Sequence, residues 1–195
     1  SSDLLDLRSW DFEKNPASLD GEWEFFPGDF IDPSGKEVSQ AGRFIKVNGV
    51  WNKEMNGGDG YASYRLKTLL PEKRPFSLAM QIPEAGTAYS MSVNGVLSAS
   101  NGSVGKTKAE SVPEHLPRFI SLPNQDNIMV IVFHVSNFHY TEGGLWYSIS
   151  LGEEKQMRSI RENRLLQTMF LCGSISIMAI YHFAVYFFRR KDRSA

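Results

Sequence analysis

The chain has 195 residues, one cysteine and a formal net charge of −1. This length suits one domain with a short appendage, and a hydrophobic share of 42% argues against a disordered or collagen-like chain. Residues 1–152 hold 13 Lys and Arg against 18 Asp and Glu, whereas residues 153–195 hold 8 against 4. Nucleic-acid binding depends on basic side chains that neutralise phosphates, so the acidic body excludes nucleic acid as its expected partner.

Residues 22–151 read as an antiparallel β protein, because short β-branched and aromatic runs are separated by Gly, Pro and Asn-Gly turn signals. These runs predict strands over residues 22–26, 43–47, 62–70, 76–82, 88–93, 96–99, 118–122, 128–135 and 145–151. Asn94-Gly95 predicts a type I′ hairpin, and run 128–135, apolar on both faces, predicts a central strand. Without a long amphipathic helix before residue 153, the predicted fold class is an all-β, two-sheet jelly-roll sandwich.

One segment between the last two predicted strands combines aromatic side chains with hydrogen-bonding groups. Its candidate ligand-binding residues are Asn137, His139, Tyr140, Glu142 and Trp146. Aromatic faces beside polar groups suit a carbohydrate or another small polar ligand. A hairpin connection whose hydrophobic side chains plug the core would have the same composition, and this alternative stays open.

A second group of candidates surrounds the glycine-rich turn Asn56-Gly57-Gly58. It consists of Trp51, Tyr61 and Arg65, again as ligand-binding residues. Two alternatives remain for this group. Trp51 and Tyr61 can equally cap the sandwich core, and Arg65 can pair with a carboxylate.

Motifs for catalysis or for a cofactor do not occur in the sequence. The histidines at positions 115, 134, 139 and 182 lack the spacing of a zinc site, and there is no phosphate-binding loop, dinucleotide fingerprint or nucleophile elbow. Glu22 and Glu24 share a strand face, as glycosidase carboxylates can, but strand alternation explains their spacing. We therefore expect a chain that is not an enzyme and that has no catalytic residues, metal or cofactor. Asn101-Gly102-Ser103 matches a glycosylation acceptor.

The carboxyl-terminal tail predicts a membrane anchor. Residues 165–188 contain no Asp, Glu, Lys or Arg and precede the basic flank 189–195. As a helix they would be about 36 Å long, enough to cross a hydrocarbon core of about 30 Å. Similar basic clusters lie on both sides of the span, so charge bias does not set its orientation. Small and weakly polar residues along the span predict packing against other helices, of the same protein or of a second copy in a homodimer.

Residues 153–164 join the body to this span and contain strong helix formers without Gly or Pro. They predict a juxtamembrane helix that extends the membrane helix outward as one rod. A solvated, charged spacer is the alternative that the sequence leaves open.

Several short motifs, taken in order, resemble a known family. They are Leu19-Asp20-Gly21-Glu22-Trp23-Glu24-Phe25, Val50-Trp51, Gly60-Tyr61-Ala62-Ser63-Tyr64-Arg65-Leu66, Val93-Asn94-Gly95 and Val135-Ser136-Asn137-Phe138 with Gly143-Gly144. With the membrane segment from Cys172 onward, they resemble the second class of extracellular domain in bacterial seven-transmembrane receptors with diverse intracellular signalling modules. The resemblance covers roughly residues 10–152 and the start of that family's first membrane helix.

This resemblance implies a periplasmic jelly roll of galactose-binding-like type, related to carbohydrate-binding modules and to the sugar-binding domain of family 2 glycoside hydrolases. It also implies an inner-membrane receptor with further transmembrane helices and a cytoplasmic kinase, cyclase or similar module. The chain carries one of the seven expected helices, so we expect it to be a piece of a longer receptor whose amino terminus is mature or trimmed.

Three functions follow as hypotheses. The leading one is a periplasmic sensor domain, formed by residues 1–152, that binds a carbohydrate-like or small polar ligand and passes a shift through residues 153–164 to the membrane helix. The second is a membrane-tethered protein-interaction or assembly module without a small-molecule ligand. The third, a noncatalytic domain of a glycoside hydrolase, predicts no membrane helix, and residues 165–188 count against it.

Overall fold

The structure is a computed structural model that describes residues 4–36, 38, 41–122 and 126–192. It divides into two compact units, the first ending at Glu154 and the second beginning at Lys155. The first unit holds the strands β1 Leu4–Asp6, β2 Ala17–Ser18, β3 Gly21–Pro27, β4 Arg43–Val47, β5 Gly60–Leu69, β6 Leu78–Ile82, β7 Ala88–Val93, β8 Val96–Asn101, β9 Arg118–Leu122, β10 Ile128–Asn137 and β11 Ser150–Glu153, and the short helix α1 Asn52–Met55. The described residues of the second unit lie in one helix, α2 Glu154–Asp192, whose first residue is the last of the first unit.

In the described residues the strands form two sheets, so the prediction of a mostly β body with antiparallel pairing is confirmed. The large sheet has the order β4-β3-β5-β10-β7-β8, and β1 pairs in parallel with the end of β5. The small sheet has the order β2-β11-β6-β9, and all its pairs are antiparallel. The core contains side chains from strands of both sheets.

Strand alternation decides which side chains enter this core. On β5, Ala62, Tyr64 and Leu66 are buried in the main hydrophobic cluster, whereas the intervening Arg65 is not part of it. The same alternation on β10 places Phe133 in the cluster, edge-on to Trp23 at 5.9 Å between ring centroids. β10 pairs with β5 on one side and with β7 on the other, which confirms the predicted central strand.

Local turn chemistry gives the β7–β8 hairpin. Asn94 and Gly95 both have positive φ, 50° and 85°, as the predicted type I′ turn requires. The predicted strands over 43–47, 88–93 and 118–122 coincide with β4, β7 and β9.

Two predicted strands are shorter than expected. The strand predicted over 145–151 begins only at Ser150, although Leu145 and Ile149 are buried in the core. Those two residues offer their carbonyl oxygens to the backbone N–H groups of Gly49 and Leu19, outside any named strand pair. Their apolar character reflects burial in the core outside a strand, which periodicity does not distinguish from burial in a strand. The strand predicted over 76–82 likewise begins two residues late, at Leu78.

α2 is continuous over 39 residues, so residues 154–164 are helical and lead without a break into the apolar segment. At about 1.5 Å per residue the length of α2 is about 58 Å. The part Glu154–Arg189 is long and apolar enough to cross a membrane, and its most apolar window has a mean hydropathy of 1.7 with no buried residues. Such a helix indicates membrane association.

Candidate functional site

The loops at one end of the first unit enclose a groove of about 330 Å³. We call it the Trp146 groove, and its lining residues are Pro83, Glu84, Gly86, His115, Trp146 and Tyr147. They come from three connections: the one after β6, the one before β9 and the one between β10 and β11. The groove combines aromatic faces, a carboxylate and an imidazole, which are the groups that recognise polar ligands with apolar ring faces.

The indole of Trp146 is positioned by close packing. A side chain at Gly86 would overlap the six-membered ring of Trp146, so glycine at this position allows the ring to approach the backbone. Tyr140 contacts the indole edge-on, with 6.5 Å between ring centroids. The indole N–H is buried and has no hydrogen-bond partner among the described residues. Packing alone therefore fixes this ring.

A chain of polar contacts crosses the groove. The carboxylate oxygen Oε1 of Glu84 lies 3.4 Å from Nδ1 of His115. On the other side of the imidazole, Nε2 of His115 shares a 2.6 Å hydrogen bond with the hydroxyl of Tyr140. When Nδ1 carries the proton toward Glu84, the Tyr140 hydroxyl donates to Nε2. The side chains of Glu84 and His115 are 60% and 44% exposed, so both face solvent and can bind a ligand.

Asn137 shapes the loop that carries Tyr140. Its side chain is buried at the end of β10, and Nδ2 donates to the carbonyl oxygens of Gly58, Tyr140 and Glu142 at 2.9, 2.8 and 3.1 Å. Its Oδ1 accepts from the backbone N–H of Tyr140 at 3.2 Å and of His139 at 3.4 Å. Asn137 thus positions the loop from the end of β10, whereas the Glu142 side chain is exposed on the loop.

His139 also ties this loop to a neighbouring one. Its Nε2 donates to the carbonyl oxygen of Ser111 at 2.9 Å. The hydroxyl groups of Ser111 and Ser136 are 2.8 Å apart, and the Ser136 hydroxyl accepts from the backbone N–H of Gly105. These bonds join the loop after β10 to the segment between β8 and β9.

The structure brings part of the second candidate group to the same loop, but in a supporting role. Trp51 is fully buried, and its ring is stacked with that of Tyr64 at 6.3 Å between ring centroids. Its indole N–H donates to the carbonyl oxygen of Gly58. Its backbone N–H donates to the carbonyl oxygen of Gly143, and Asn52 bonds to Gly143 N–H and to the Thr141 carbonyl oxygen. Trp51 therefore fits the alternative in which it caps the sandwich core, because its side chain is not exposed to a ligand.

Tyr61 and Arg65 lie on the opposite face of β5 from the main core. Arg65 donates to the Glu24 carboxylate in an ion pair whose side chains are 10% and 12% exposed, and its guanidinium also bonds to the carbonyl oxygen of Gly35. This is the carboxylate partner that the alternative for Arg65 expected. Tyr61 packs against Phe30 at 5.0 Å between ring centroids. Neither residue lines the Trp146 groove.

A larger depression, of about 690 Å³, lies on that opposite face of the large sheet. Its lining residues include Arg65, Lys67, Ile128 and Val130 but no aromatic side chain among those described. Arg65 is already held by Glu24 there. We therefore take the smaller Trp146 groove as the candidate site.

Sequence reasoning missed Glu84, His115 and Tyr147. The sequence signal available for Glu84 was its place in Pro83-Glu84-Ala85-Gly86, a turn-forming segment after a strand. His115 was considered only as a metal ligand. In the described residues no group of three His, Cys, Asp or Glu side chains could hold a metal ion.

The glycosylation triplet does not present an acceptor in this fold. Asn101 is fully buried, and its amide donates to the carbonyl oxygens of Ala85, Thr87 and Glu114. Glycosylation needs a solvent-accessible amide, so Asn101 is a structural residue that holds the segment before β9 against the turn after β6.

No family model and no curated protein sequence matches the chain. Among solved structures, it is similar to a family 2 glycosyl hydrolase from Bacteroides cellulosilyticus (17% identity, 70% of this chain, 20% of that chain, TM-score 0.55). It is also similar to a β-glucuronidase from an uncultured Clostridium species (13% identity, 70% of this chain, 28% of that chain, TM-score 0.55). A third similar structure is a family 2 β-galacturonidase from Eisenbergiella tayi bound to galacturonate (15% identity, 71% of this chain, 24% of that chain, TM-score 0.50).

These likenesses concern the fold. The chain spans between a fifth and less than a third of the length of those structures. They support a sandwich-like body with neighbours among domains of carbohydrate-active proteins.

Proposed function

We propose that the first unit is the periplasmic ligand-binding domain of a bacterial inner-membrane receptor and that its ligand is a carbohydrate-like or other small polar molecule. The domain would be a jelly roll of galactose-binding-like type, anchored by α2 in a receptor with further transmembrane helices and a cytoplasmic signalling module. The resemblance of the ordered motifs to seven-transmembrane receptor domains supports this proposal. The likeness to domains of family 2 glycoside hydrolases supports the jelly-roll part of it.

The observation that carries the proposal is the Trp146 groove. A sugar ring has apolar C–H faces and a rim of hydroxyl groups, so it pairs with an aromatic ring and nearby hydrogen-bonding side chains. Trp146 and Tyr147 supply the rings, and Glu84 and His115 supply an acceptor and a donor or acceptor. Loops fixed on a rigid sandwich are a common location for such sites.

The position of β6 suggests how binding is transmitted. β6 leads directly into the groove after Ile82, and at its other end Leu78 pairs with Glu153, the last residue of β11. α2 begins at the next residue, and the backbone N–H of Glu154 donates to the carbonyl oxygen of Ser77 at 2.9 Å. A ligand that binds two states of the groove with different affinity would shift this strand and the start of the helix.

The test is a binding screen on the full chain in nanodiscs, with a glycan array followed by calorimetry of the hits. Replacement of Trp146 by Ala is expected to weaken binding at least tenfold, because removal of a buried aromatic contact costs about 1.5–3 kcal/mol and about 1.4 kcal/mol corresponds to a factor of ten. Trp146→Phe should keep most of the affinity, since the lost indole N–H has no partner among the described residues.

Trp10→Ala is the matched control, because Trp10 is a half-exposed tryptophan in the connection between β1 and β2. It should leave binding unchanged. If no ligand binds at millimolar concentration and crosslinking captures a protein partner, the membrane-tethered interaction module replaces the sensor. Unfolding of Trp146→Ala, seen as lost thermal cooperativity, would make Trp146 a core plug.

A further inference from the structure

We infer that the Trp146 groove selects a ligand that carries a protonated amine, of which an amino sugar is the representative class, over neutral and anionic analogues. This inference rests on the proposed function and adds the charge of the ligand to it. It follows from the charges and ring faces that meet in the groove.

The described lining of the groove contains one carboxylate. Among the described residues that line it, Glu84 carries a carboxylate, and none is Lys or Arg. The lining also holds the imidazole of His115, whose Nδ1 lies 3.4 Å from Oε1 of Glu84 and whose Nε2 is bonded to the hydroxyl of Tyr140. The described lining thus holds a carboxylate and no ammonium or guanidinium group, so the groove favours a cationic ligand over a carboxylate.

The nearest guanidinium in sequence, that of Arg118, is held by other acceptors. Its Nη2 lies 2.8 Å from the carboxylate of Glu114, and its Nε donates to the carbonyl oxygen of Ser100 at 2.8 Å. Arg118 does not line the groove. It therefore compensates Glu114 and leaves Glu84 as the charge that a ligand meets.

Aromatic faces add to the same preference. Trp146 and Tyr147 line the groove beside Glu84, and Tyr147 is 55% exposed. The negative face of an aromatic ring attracts an ammonium group, and indole does so most strongly. A carboxylate with two aromatic rings is thus a receptor for an amine attached to an apolar ring. A uronic acid would place its carboxylate against Glu84 and against the same ring faces.

The experiment compares three sugars that share one ring: glucosamine as the ammonium form, glucose, and glucuronate, with the galactose series run in parallel. Binding to the full chain in nanodiscs is followed by calorimetry and tryptophan fluorescence. Glucosamine or galactosamine should bind about three- to tenfold tighter than its neutral analogue, since an exposed ion pair and a cation–π contact each contribute modestly. The uronate should bind more weakly than both.

Glu84→Gln should abolish the difference between the amino and neutral sugars while retaining the binding of the neutral one. Glu72→Gln, at an exposed carboxylate outside the groove, is the matched control and should keep the preference. Glu84 is an exposed side chain, and thermal unfolding of the variant checks that it folds. Glu84→Asp, which keeps the charge, should retain part of the preference.

The outcomes separate the two proposals. If none of these sugars binds, this inference is overturned, and the glycan array with calorimetry then decides the proposed function separately. If neutral or anionic sugars bind as tightly as the amino sugars, or if Glu84→Gln keeps the amine preference, this inference is overturned and the proposed function stands.

Discussion

At the scale of single residues, Asn137 links the sheet to the loop beside the groove. Its amide lies at the end of β10 and satisfies backbone groups of the β10–β11 connection and of the glycine-rich turn at Gly58. Loss of a buried amide with several hydrogen-bond partners lowers the stability of the fold, because each lost bond leaves a polar group unpaired. The residue is therefore important for the shape of the site without touching a ligand.

Replacement of Asn137 by Ala is expected to lower the free energy of unfolding by about 2–4 kcal/mol, because several backbone carbonyls lose their donor in a buried place. Ligand affinity should fall as well, since Tyr140 would no longer be held near His115. Urea unfolding of the full chain in nonionic detergent, followed by tryptophan fluorescence, measures the change. Asn15→Ala, at an exposed asparagine, should change stability by less than about 0.5 kcal/mol. Equal effects of the two changes would contradict the role of Asn137.

At the scale of elements, the segment after β3 lies against the face of the large sheet that is turned away from the main core. Ile31 is buried there with Phe26 and Val132. His134 of β10 donates its Nε2 hydrogen to the carbonyl oxygen of Ile31 at 2.8 Å and packs against the ring of Phe30. This small second cluster explains why the segment can cover the sheet without forming a strand.

The pKa of His134 gives this segment a pH dependence. Burial lowers the pKa of His134 below its usual 6.5, and the Ile31 carbonyl and the charges of Asp29 and Asp32 oppose this effect only in part. The folded state therefore binds fewer protons than the unfolded state below about pH 6.5. The free energy of unfolding should decrease as the pH falls from 6.5 toward the lower folded-state pKa.

Urea unfolding at pH 7.5 and pH 5.5 measures this loss, and His134→Gln should reduce it, because a glutamine keeps a donor and does not titrate. The comparison is of the pH-dependent difference, so a constant destabilisation by the substitution does not affect it. A variant with the same pH-dependent loss as the natural chain would show that His134 does not cause it.

At the scale of the whole molecule, a β body and a long apolar helix are consecutive in the chain, with no loop between β11 and α2. The hydroxyl groups of Thr168, Ser174 and Ser176 donate to carbonyl oxygens one turn earlier in the helix. These hydroxyls are thereby satisfied within α2, which lowers the cost of placing them in lipid.

A charge in the middle of the apolar segment tests the membrane assignment. Ile177→Lys is expected to disfavour insertion by about 2.5–3.5 kcal/mol, because a lysine near the helix centre loses its hydration. The fraction of the chain that resists alkaline carbonate extraction from membranes should fall sharply. Ile160→Lys, located before the apolar segment, is the control and should remain in the membrane fraction. Equal extraction of the two variants would show that α2 does not span the bilayer.

Most strands could be predicted because the signal is local. Alternation on β5, the apolar run of β10 and the Asn94-Gly95 turn each act within a few residues. The strands β1 and β2 were missed since two or three residues are too few for a period to be seen. They form only because β5 and β11 offer an unpaired edge.

The candidate site could be predicted only in part, because its members are distant in sequence. The loop with Tyr140 and Trp146 was identified from its composition. Glu84 and His115 come from two other connections and were not singled out as site residues. Composition also could not tell Trp51 in the core from Trp146 in the groove, since both are tryptophans beside glycines and polar residues.

Local sequence patterns were enough to predict a mostly β body, its central strand and a helix long and apolar enough to cross a membrane, because period, turn chemistry and hydropathy are properties of short segments. Which side chains come into contact depends on the three-dimensional fold. The fold buries Trp51 and Asn137 and pairs Arg65 with Glu24. It also brings Glu84, His115 and Trp146 to one groove. These contacts depend on sheet order and loop packing between residues far apart in the chain, and no local pattern encodes them.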